Sequence, residues 1–147
     1  MFKNILIPTD GSPASRRAIA AGVQMAKVMG AKVTGLFAAP AATPVVYRHF
    51  LPVGYSTPQA HAKLIASTAA QYLAVIEAAA KKSGVKCEVV TVTNDFPADA
   101  ILSVAKKKEC DLIVMATHGR KGIAGALIGS ETQKVLIRST IPVLACR

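Results

Sequence analysis

The chain has 147 residues, of which 52% are hydrophobic, and this suits one domain (residues 1–147) that buries a core of ordinary size. Its apolar runs are interrupted by lysine, proline or polar residues, which excludes a transmembrane span of about 20 residues. The formal charge of +10 is dispersed, and adjacent lysines occur only near predicted helix C-termini, where they complement the helix dipole; this argues against a specific nucleic-acid partner.

The first half of the chain predicts two strands and two helices, with one long loop. In order, these are a strand at residues 3–8, a helix from Pro13, a strand at residues 32–38, a loop at residues 39–57 and a helix from Pro58. Ser12 and Thr57 each precede a proline, which is typical of an N-cap followed by the first helical residue. Gly30 and Gly84 stand where the two helices are expected to end.

The second half continues the alternation. It predicts a strand at residues 86–93, a helix from Pro97, a strand at residues 111–116, a Gly-rich loop, a helix at about residues 130–138 and a strand at residues 142–146. The order βαβαβαβαβ predicts an α/β fold in which a five-stranded, parallel, doubly wound sheet has helices on both faces. Ligands bind such sheets at the carboxyl ends of the strands, where the strand order reverses. We therefore expect functional residues in segments 8–11 and 116–130.

The Gly-rich loop has the chemistry of an anion site. It contains Gly119, Arg120, Lys121, Gly122, Gly125, Gly129 and Ser130. The glycines allow positive φ and close approach of the backbone, and a helix begins at the final Gly-Ser pair, where free N–H groups attract anions. It is not a P-loop, because no Lys-Ser or Lys-Thr pair follows the last glycine. The alternative is a flexible turn whose glycines only permit tight packing.

Motifs at both ends of the chain resemble those of one known family. They are Pro8-Thr9-Asp10-Gly11-Ser12, the run from Asp111 to Arg120, Gly129-Ser130 and Pro142-Val-Leu. Together they are similar to the single-domain bacterial type of universal stress protein, and the resemblance covers essentially the whole chain. It implies a Rossmann-like fold of the kind found in adenine nucleotide alpha hydrolases, and ATP binding.

The resemblance implies a role for each matching residue. The nucleotide-binding residues would be Pro8, Thr9, Asp10, Ala38, Met115, Ala116, His118, Gly119, Arg120, Gly129, Ser130, Glu131 and Thr132. Asp10 would accept hydrogen bonds from the ribose hydroxyls, and the backbone of Ala38 would pair with the adenine edge. The residues around the Gly-rich loop would surround the phosphates. A Mg²⁺ or Mn²⁺ ion would bridge phosphate oxygens, since no dedicated protein cage is visible.

One position departs from the family's ATP-binding pattern, Gly-x2-Gly-x9-Gly-Ser/Thr. Here the first glycine is Ala116. Its methyl group either crowds a ribose or phosphate, or is harmless because it points away. Asp10 and His118 also have alternatives, as a turn residue and a capping residue. The aromatic residues of the long loop would either close over a base or cover the edge of the core; they are Tyr47, Phe50 and Tyr55.

These observations favour a nucleotide-responsive stress or signalling protein with an unidentified protein partner. No catalytic residues are assigned, because no activated nucleophile and no residue that would position an attacking water is evident. The resemblance allows slow ATP hydrolysis at most. The alternative is a nucleotide-free dimeric scaffold in which Ala116 marks a lost site. A basic nucleic-acid binder is a third possibility, which predicts affinity that falls steeply with salt.

The last strand and the cysteines complete the sequence predictions. The resemblance implies a homodimer joined through the final strand, at Val143, Leu144 and Ala145. The three cysteines form no CxxC pair, so we expect buried or half-buried free thiols in a reducing cytoplasm. The first residues lack a signal-peptide pattern, which favours the same location, and no membrane partner is expected.

Overall fold

The computed structural model describes residues 1–41, 57–118 and 128–147. The elements are β1 (Asn4–Pro8), α1 (Pro13–Met29), β2 (Lys32–Ala39), α2 (Pro58–Ser83), β3 (Cys87–Thr93), α3 (Pro97–Lys107), β4 (Leu112–Ala116), α4 (Ser130–Arg138) and β5 (Val143–Cys146). Each predicted strand and helix is present and lies within a few residues of the expected bounds. The predicted alternation is therefore confirmed.

The five strands form one sheet in the order β3-β2-β1-β4-β5, and every pair is parallel. The chain moves from β1 to β2 and β3 in one direction, then returns to place β4 and β5 on the other side of β1. The strand order thus reverses between β1 and β4, which is where such sheets form a ligand crevice. The predicted doubly wound sheet is confirmed.

Side chains on the two faces of the sheet form two core layers. On one face Ile5, Ile7 and Val33 pack with residues of α1 and α2. On the other face Leu6 and Leu36 pack with residues of α3 and α4. All five residues of β4 are buried, as its apolar run predicts. Within the three described segments, no helix combines the length and apolar character needed to cross a membrane.

The helix ends follow the predicted local chemistry. The hydroxyl of Ser12 accepts the backbone N–H of Ser15 at 3.1 Å, and Thr57 caps α2 in the same way through the N–H of Ala60 at 3.1 Å. Gly30 ends α1 with a φ of 66°, in the left-handed region that glycine adopts without a steric cost.

A polar network fixes the amino edge of the sheet. Buried Asn4 accepts a hydrogen bond from the hydroxyl of Thr34 at 3.0 Å and donates one to the carbonyl of Lys108 at 2.9 Å. The carboxylate of Glu88 accepts hydrogen bonds from Thr34 at 3.3 Å and from the ammonium group of Lys108 at 2.8 Å. The Lys108 hydrogen bond is the main reason that the pKa of Glu88 lies below its ordinary value.

The three cysteines are free, as predicted. Cys110 is buried, whereas Cys87 and Cys146 are half-buried. Burial raises the pKa of each thiol above its ordinary value. The thiolate form is therefore disfavoured at neutral pH, and these cysteines behave as small core residues.

Candidate functional site

The carboxyl edge of β2, β1 and β4 collects the described residues of the predicted site. They are Pro8, Thr9 and Asp10 where β1 ends, Ala38 near the end of β2, Met115, Ala116 and His118 at the end of β4, and Gly129, Ser130, Glu131 and Thr132 at the start of α4. A backbone hydrogen bond from Gly129 to the carbonyl of Thr117, at 2.6 Å, joins the start of α4 to the end of β4. Gly119, Arg120, Tyr47, Phe50 and Tyr55 lie outside the described residues.

The turn after β1 is held by short-range hydrogen bonds. The N–H of Thr9 donates to the carbonyl of Leu36 at 2.9 Å, and its hydroxyl lies 3.1 Å from that of Ser15. One carboxylate oxygen of Asp10 accepts the backbone N–H of Ser12 at 3.0 Å, so its turn role is confirmed. A carboxylate offers several acceptor positions, so a hydrogen bond within the turn is compatible with an acceptor role toward a sugar diol.

The backbone of Ala38 faces the place where the chain leaves β1. Leu36 accepts a hydrogen bond from Thr9 on that side, and peptide groups of alternate residues in a strand point to the same neighbour. Ala38 lies two residues further on, beyond Pro8, which pairs with Leu36 as the last residue of β1. Its N–H and C=O groups therefore point toward the crevice rather than toward β3, an arrangement suited to the edge of a base.

Ala116 fits its position without strain. Among the described non-glycine residues only Glu109 has a positive φ, so Ala116 does not need the conformational freedom of glycine. Side chains alternate along β4, and Leu112 and Val114 lie in the core beneath α1 and α2. By the same alternation the methyl group of Ala116 lies on that face and points away from α4, which packs on the other face.

The start of α4 presents backbone N–H groups without a side-chain cap. Its N-cap is Gly129, which has no side chain to offer, and Ser130 is exposed. The N–H of Gln133 bonds to the carbonyl of Gly129 at 3.0 Å, and the N–H groups that precede it have no acceptor within the helix. The φ of Gly129 is −70°, so the glycine is not required for a left-handed conformation here. What remains is an exposed positive helix end that suits an anion.

Helices α1, α2 and α3 begin differently. Each has proline in its first turn, at Pro13, Pro58 and Pro97. Proline has no N–H, so it removes one of the groups that would otherwise need an acceptor. The serine that opens α4 keeps this N–H and adds a hydroxyl, which makes Ser130 the more suitable residue for contact with a phosphate.

Three predicted residues use their side chains within the protein. The carboxylate of Glu131 accepts the backbone N–H of Ala98 at 2.9 Å, which caps α3, and also binds Lys134 at 2.7 Å. The hydroxyl of Thr132 donates to the carbonyl of Ala116 at 2.9 Å. Met115 is 6% exposed and belongs to the core beneath α3 and α4. Any contact of Glu131 or Thr132 with a ligand would therefore be made by backbone atoms.

His118 lies half-buried beside the crevice. Its Nδ1 atom is 3.1 Å from the hydroxyl oxygen of Thr117, the residue whose carbonyl accepts the N–H of Gly129. The backbone N–H of Thr117 also donates to the carbonyl of Cys146 in β5 at 2.7 Å. The segment after β4 thus contacts both the start of α4 and the edge strand.

Tyr72 in α2 is not among the residues predicted for the site from the sequence. In the structure its ring packs directly against Gly11, the residue after Asp10. Helical spacing predicts that Tyr72 faces the core, yet no spacing rule connects it to a turn 61 positions earlier in the chain.

A separate groove of about 680 Å³ lies between α2 and β3. It is lined in part by Ile65, Leu73 and Val89, and none of the described residues predicted for the site lines it.

The sequence model of the universal stress protein family matches residues 1–147. Universal stress protein MJ0531 of Methanocaldococcus jannaschii is 31% identical over 147 residues, covering 100% of this chain and 83% of that protein. Universal stress protein YxiE of Bacillus subtilis is 31% identical over 159 residues, and the match covers 100% of this chain and 100% of that protein.

Solved structures show the same fold. Universal stress protein UspA from Lactobacillus plantarum has a TM-score of 0.76 at 24% identity, over 99% of this chain and 97% of that one. A universal stress protein in complex with cAMP has a TM-score of 0.67 at 26% identity, over the same shares of the two chains. A universal stress protein from Archaeoglobus fulgidus in complex with dAMP has a TM-score of 0.64 at 18% identity, covering 99% of this chain and 98% of that one, a similarity of fold alone.

Proposed function

The chain belongs to the universal stress protein family, and from this membership we propose that it binds ATP at the carboxyl edge of its sheet and acts as a nucleotide-responsive stress or signalling protein. The main support is the start of α4, where the first backbone N–H groups have no side-chain cap and no acceptor within the helix, beside the crevice where the strand order reverses. The similar protein that was solved with cAMP supports an adenine nucleotide as the class of ligand.

The phosphates would lie at the start of α4. Backbone N–H groups and the positive end of the helix dipole stabilise an anion there, and the hydroxyl of Ser130 adds a donor. Gly129 would allow a phosphate oxygen to approach the backbone closely, because it has no side chain that would stand between them. His118, Gly119 and Arg120 complete this part of the proposal.

The nucleoside would lie across β1 and β2. Asp10 would accept the ribose hydroxyls, with Pro8 and Thr9 lining the crevice beside it. The peptide groups of Ala38, which point past the end of β1, would pair with the adenine edge. These contacts distinguish a nucleotide from a free phosphate, since each needs the sugar or the base.

A divalent cation would be held mainly by the ligand. Residues 1–41, 57–118 and 128–147 contain no group of three or more His, Cys, Asp or Glu side chains that could hold a metal ion. Mg²⁺ commonly keeps several waters and binds through phosphate oxygens and few protein ligands. A Mg²⁺ or Mn²⁺ ion brought in by ATP fits this arrangement better than a resident metal, and its chemistry would be to neutralise phosphate charge.

The proposed role is binding and signalling, with at most slow hydrolysis. A nucleotide alters signalling only when a partner distinguishes the bound protein from the free one. Thr117 offers a physical connection for such a change, because its backbone forms hydrogen bonds with Gly129 at the proposed phosphate site and with Cys146 in β5. We place the protein in the cytoplasm as part of the same proposal.

The competing function is a nucleotide-free dimeric scaffold, in which the alanine at position 116 would mark a lost site. Calorimetric titration of the purified chain with ATP and Mg²⁺ separates the two, together with identification of any nucleotide that denaturation releases. Asp10→Asn is the matched variant, because asparagine can keep the hydrogen bond to the N–H of Ser12 while it loses the charge. Saturable binding that weakens in this variant supports ATP recognition. A flat titration with no released nucleotide would favour the scaffold.

A further inference from the structure

The turn that holds Asp10 rests on an aromatic ring from a distant helix. Gly11 has a φ of 75°, and a Cβ atom built on it would lie 2.3 Å from Cε1 of Tyr72 in α2. The ring therefore occupies the space where a side chain at position 11 would be. Only glycine meets both the conformational and the steric requirement at this position.

The same ring also contacts the strand that presents Ala38. Tyr72 and Phe37 pack edge to face, with ring centroids 5.4 Å apart and ring planes at 89°. Phe37 is 7% exposed and directly precedes Ala38. Tyr72 thus contacts Gly11, which is next to the proposed ribose-binding residue Asp10, and Phe37, which is next to the proposed base-binding residue Ala38.

Space beside the ring makes this support necessary. A small cleft of about 80 Å³ lies next to Tyr72 and is lined by Thr9 and Gly11 on one side and by Gln71 and Val75 of α2 on the other. Thr9 ties the turn to β2 through the carbonyl of Leu36 and to α1 through the hydroxyl of Ser15, both on the side away from this cleft. Removal of the ring would enlarge the cleft, and the turn would be free to shift into it.

We infer that Tyr72, backed by Phe37, is a positioning residue that sets Asp10 and Ala38 at the separation needed by an adenosine group. This inference rests on the proposed ATP site. It concerns the nucleoside contacts alone, because α4 supplies the phosphate contacts from the opposite face of the sheet.

Binding of ATP and of inorganic triphosphate to the full chain tests the inference. In Tyr72→Leu we expect the Kd for ATP to rise about tenfold, the size of a lost hydrogen bond to a charged group, while the Kd for inorganic triphosphate stays within about twofold. Tyr72→Phe keeps the ring and should retain wild-type binding of both ligands. Gly11→Ala, which displaces the ring from the other side, should act like Tyr72→Leu.

Leu73→Ala is the matched control, since Leu73 is buried on the same helix and its loss lowers stability. It should leave the ratio of the two Kd values unchanged. If wild type binds ATP and Tyr72→Leu binds it equally well, or if both ligands weaken to the same extent, the inference is wrong and the proposed function stands. Loss of binding in Tyr72→Phe would show that the hydroxyl matters instead of the ring, and would also overturn it. Failure of the wild-type chain to bind ATP would remove the proposed function itself.

Discussion

The hydroxyl group of Thr132 donates a hydrogen bond to the carbonyl oxygen of Ala116, with 2.9 Å between the two oxygen atoms. Thr132 lies in the first turn of α4 and is 3% exposed, so the bond is sheltered from water. It fixes the start of the helix against the end of β4, the strand that borders the crevice. Ala116, the residue that departs from the family's glycine pattern, thus takes part through its carbonyl in a contact that shapes the site.

Replacing Thr132 by valine should lower stability, because the shape is kept and the buried carbonyl of Ala116 loses its donor. We expect the free energy of unfolding to fall by about 1–3 kcal/mol. Urea denaturation followed by circular dichroism measures it. Thr132→Ser keeps the hydroxyl and should lose less stability; a Thr132→Val variant as stable as wild type would mean that the hydrogen bond to Ala116 does not contribute.

Ser130→Pro tests whether the first N–H of α4 binds phosphate. Gly129 has φ and ψ of −70° and 155°, a conformation that is compatible with a following proline, and α1 to α3 already accept proline in the first turn. The variant should fold with an unchanged melting temperature and bind ATP about 10- to 100-fold more weakly, since one hydrogen bond to a charged group is lost.

Ser130→Ala is the control for this substitution, because it removes only the hydroxyl. Calorimetry should rank the Kd values for ATP in the order wild type, Ser130→Ala and Ser130→Pro, from tightest to weakest. If the proline variant binds as tightly as the alanine variant, the N–H of residue 130 makes no contact with the ligand.

Ala116→Gly tests the departure from the family's glycine pattern. Since the methyl group of Ala116 lies on the face away from α4, its removal should change the Kd for ATP by less than about twofold. Stability should fall by about 0.5–1 kcal/mol, because glycine has more conformational freedom to lose in a strand. A gain in affinity of tenfold or more would instead show that the methyl group crowds the ligand.

Local chemistry explains why the fold was predictable from the sequence. Ser12 and Thr57 lie next to the helices they cap, so the residues that start each helix are neighbours in the chain. The buried strand at Leu112–Ala116 is likewise visible as one apolar run. Parallel order then follows from the alternation of strands and helices, which needs no knowledge of side-chain contacts.

The contacts of the site were less predictable, because they join residues that are distant in sequence. Glu131 was expected beside a phosphate, yet its carboxylate caps α3 through Ala98, 33 residues away. That contact depends on how α3 packs against α4, which no motif encodes. The support of Gly11 by Tyr72 has the same origin. Motifs identified which segments meet at the crevice, and packing decided which side chains remain available to a ligand.

The position of β5 at the edge of the sheet is the basis for predicting a homodimer. It pairs with β4 on one side, and Leu144 is 39% exposed. We propose that two copies join by antiparallel pairing of Val143–Ala145, because among the described residues no other strand pairs with the outer edge of β5, and such an edge offers backbone groups to a partner. Leu144→Glu should convert the dimer to a monomer, as measured by sedimentation equilibrium. Leu64→Glu, an exposed leucine on α2, is the control and should leave the dimer intact. A dimer that survives the charge at position 144 would exclude this interface.

We expect Glu88 to stabilise the folded protein by an amount that depends on pH. Its pKa is lowered from the ordinary value of 4.5, first by the hydrogen bond from Lys108 and further by the charge of Lys32. The unfolded chain therefore binds a proton at this position at higher pH than the folded protein does. The contribution is fully present above about pH 4.5 and disappears as the pH falls through the folded pKa. Because the side chain is 39% exposed, solvent screens the pair, and we expect about 0.5 kcal/mol at neutral pH.

Glu88→Gln should remove this contribution. Urea denaturation at a series of pH values should show the variant less stable than wild type at pH 7, with a difference that shrinks toward zero as the pH falls below the folded pKa. Glu77→Gln, at a glutamate on α2 outside the network at the amino edge, controls for the loss of one negative charge. If the difference between Glu88→Gln and wild type is the same at pH 7 and in acid, the contact with Lys108 does not act through the charge of Glu88. High salt at pH 7 should reduce the difference in unfolding free energy between wild type and Glu88→Gln, since the ion pair of Glu88 and Lys108 is partly exposed to solvent.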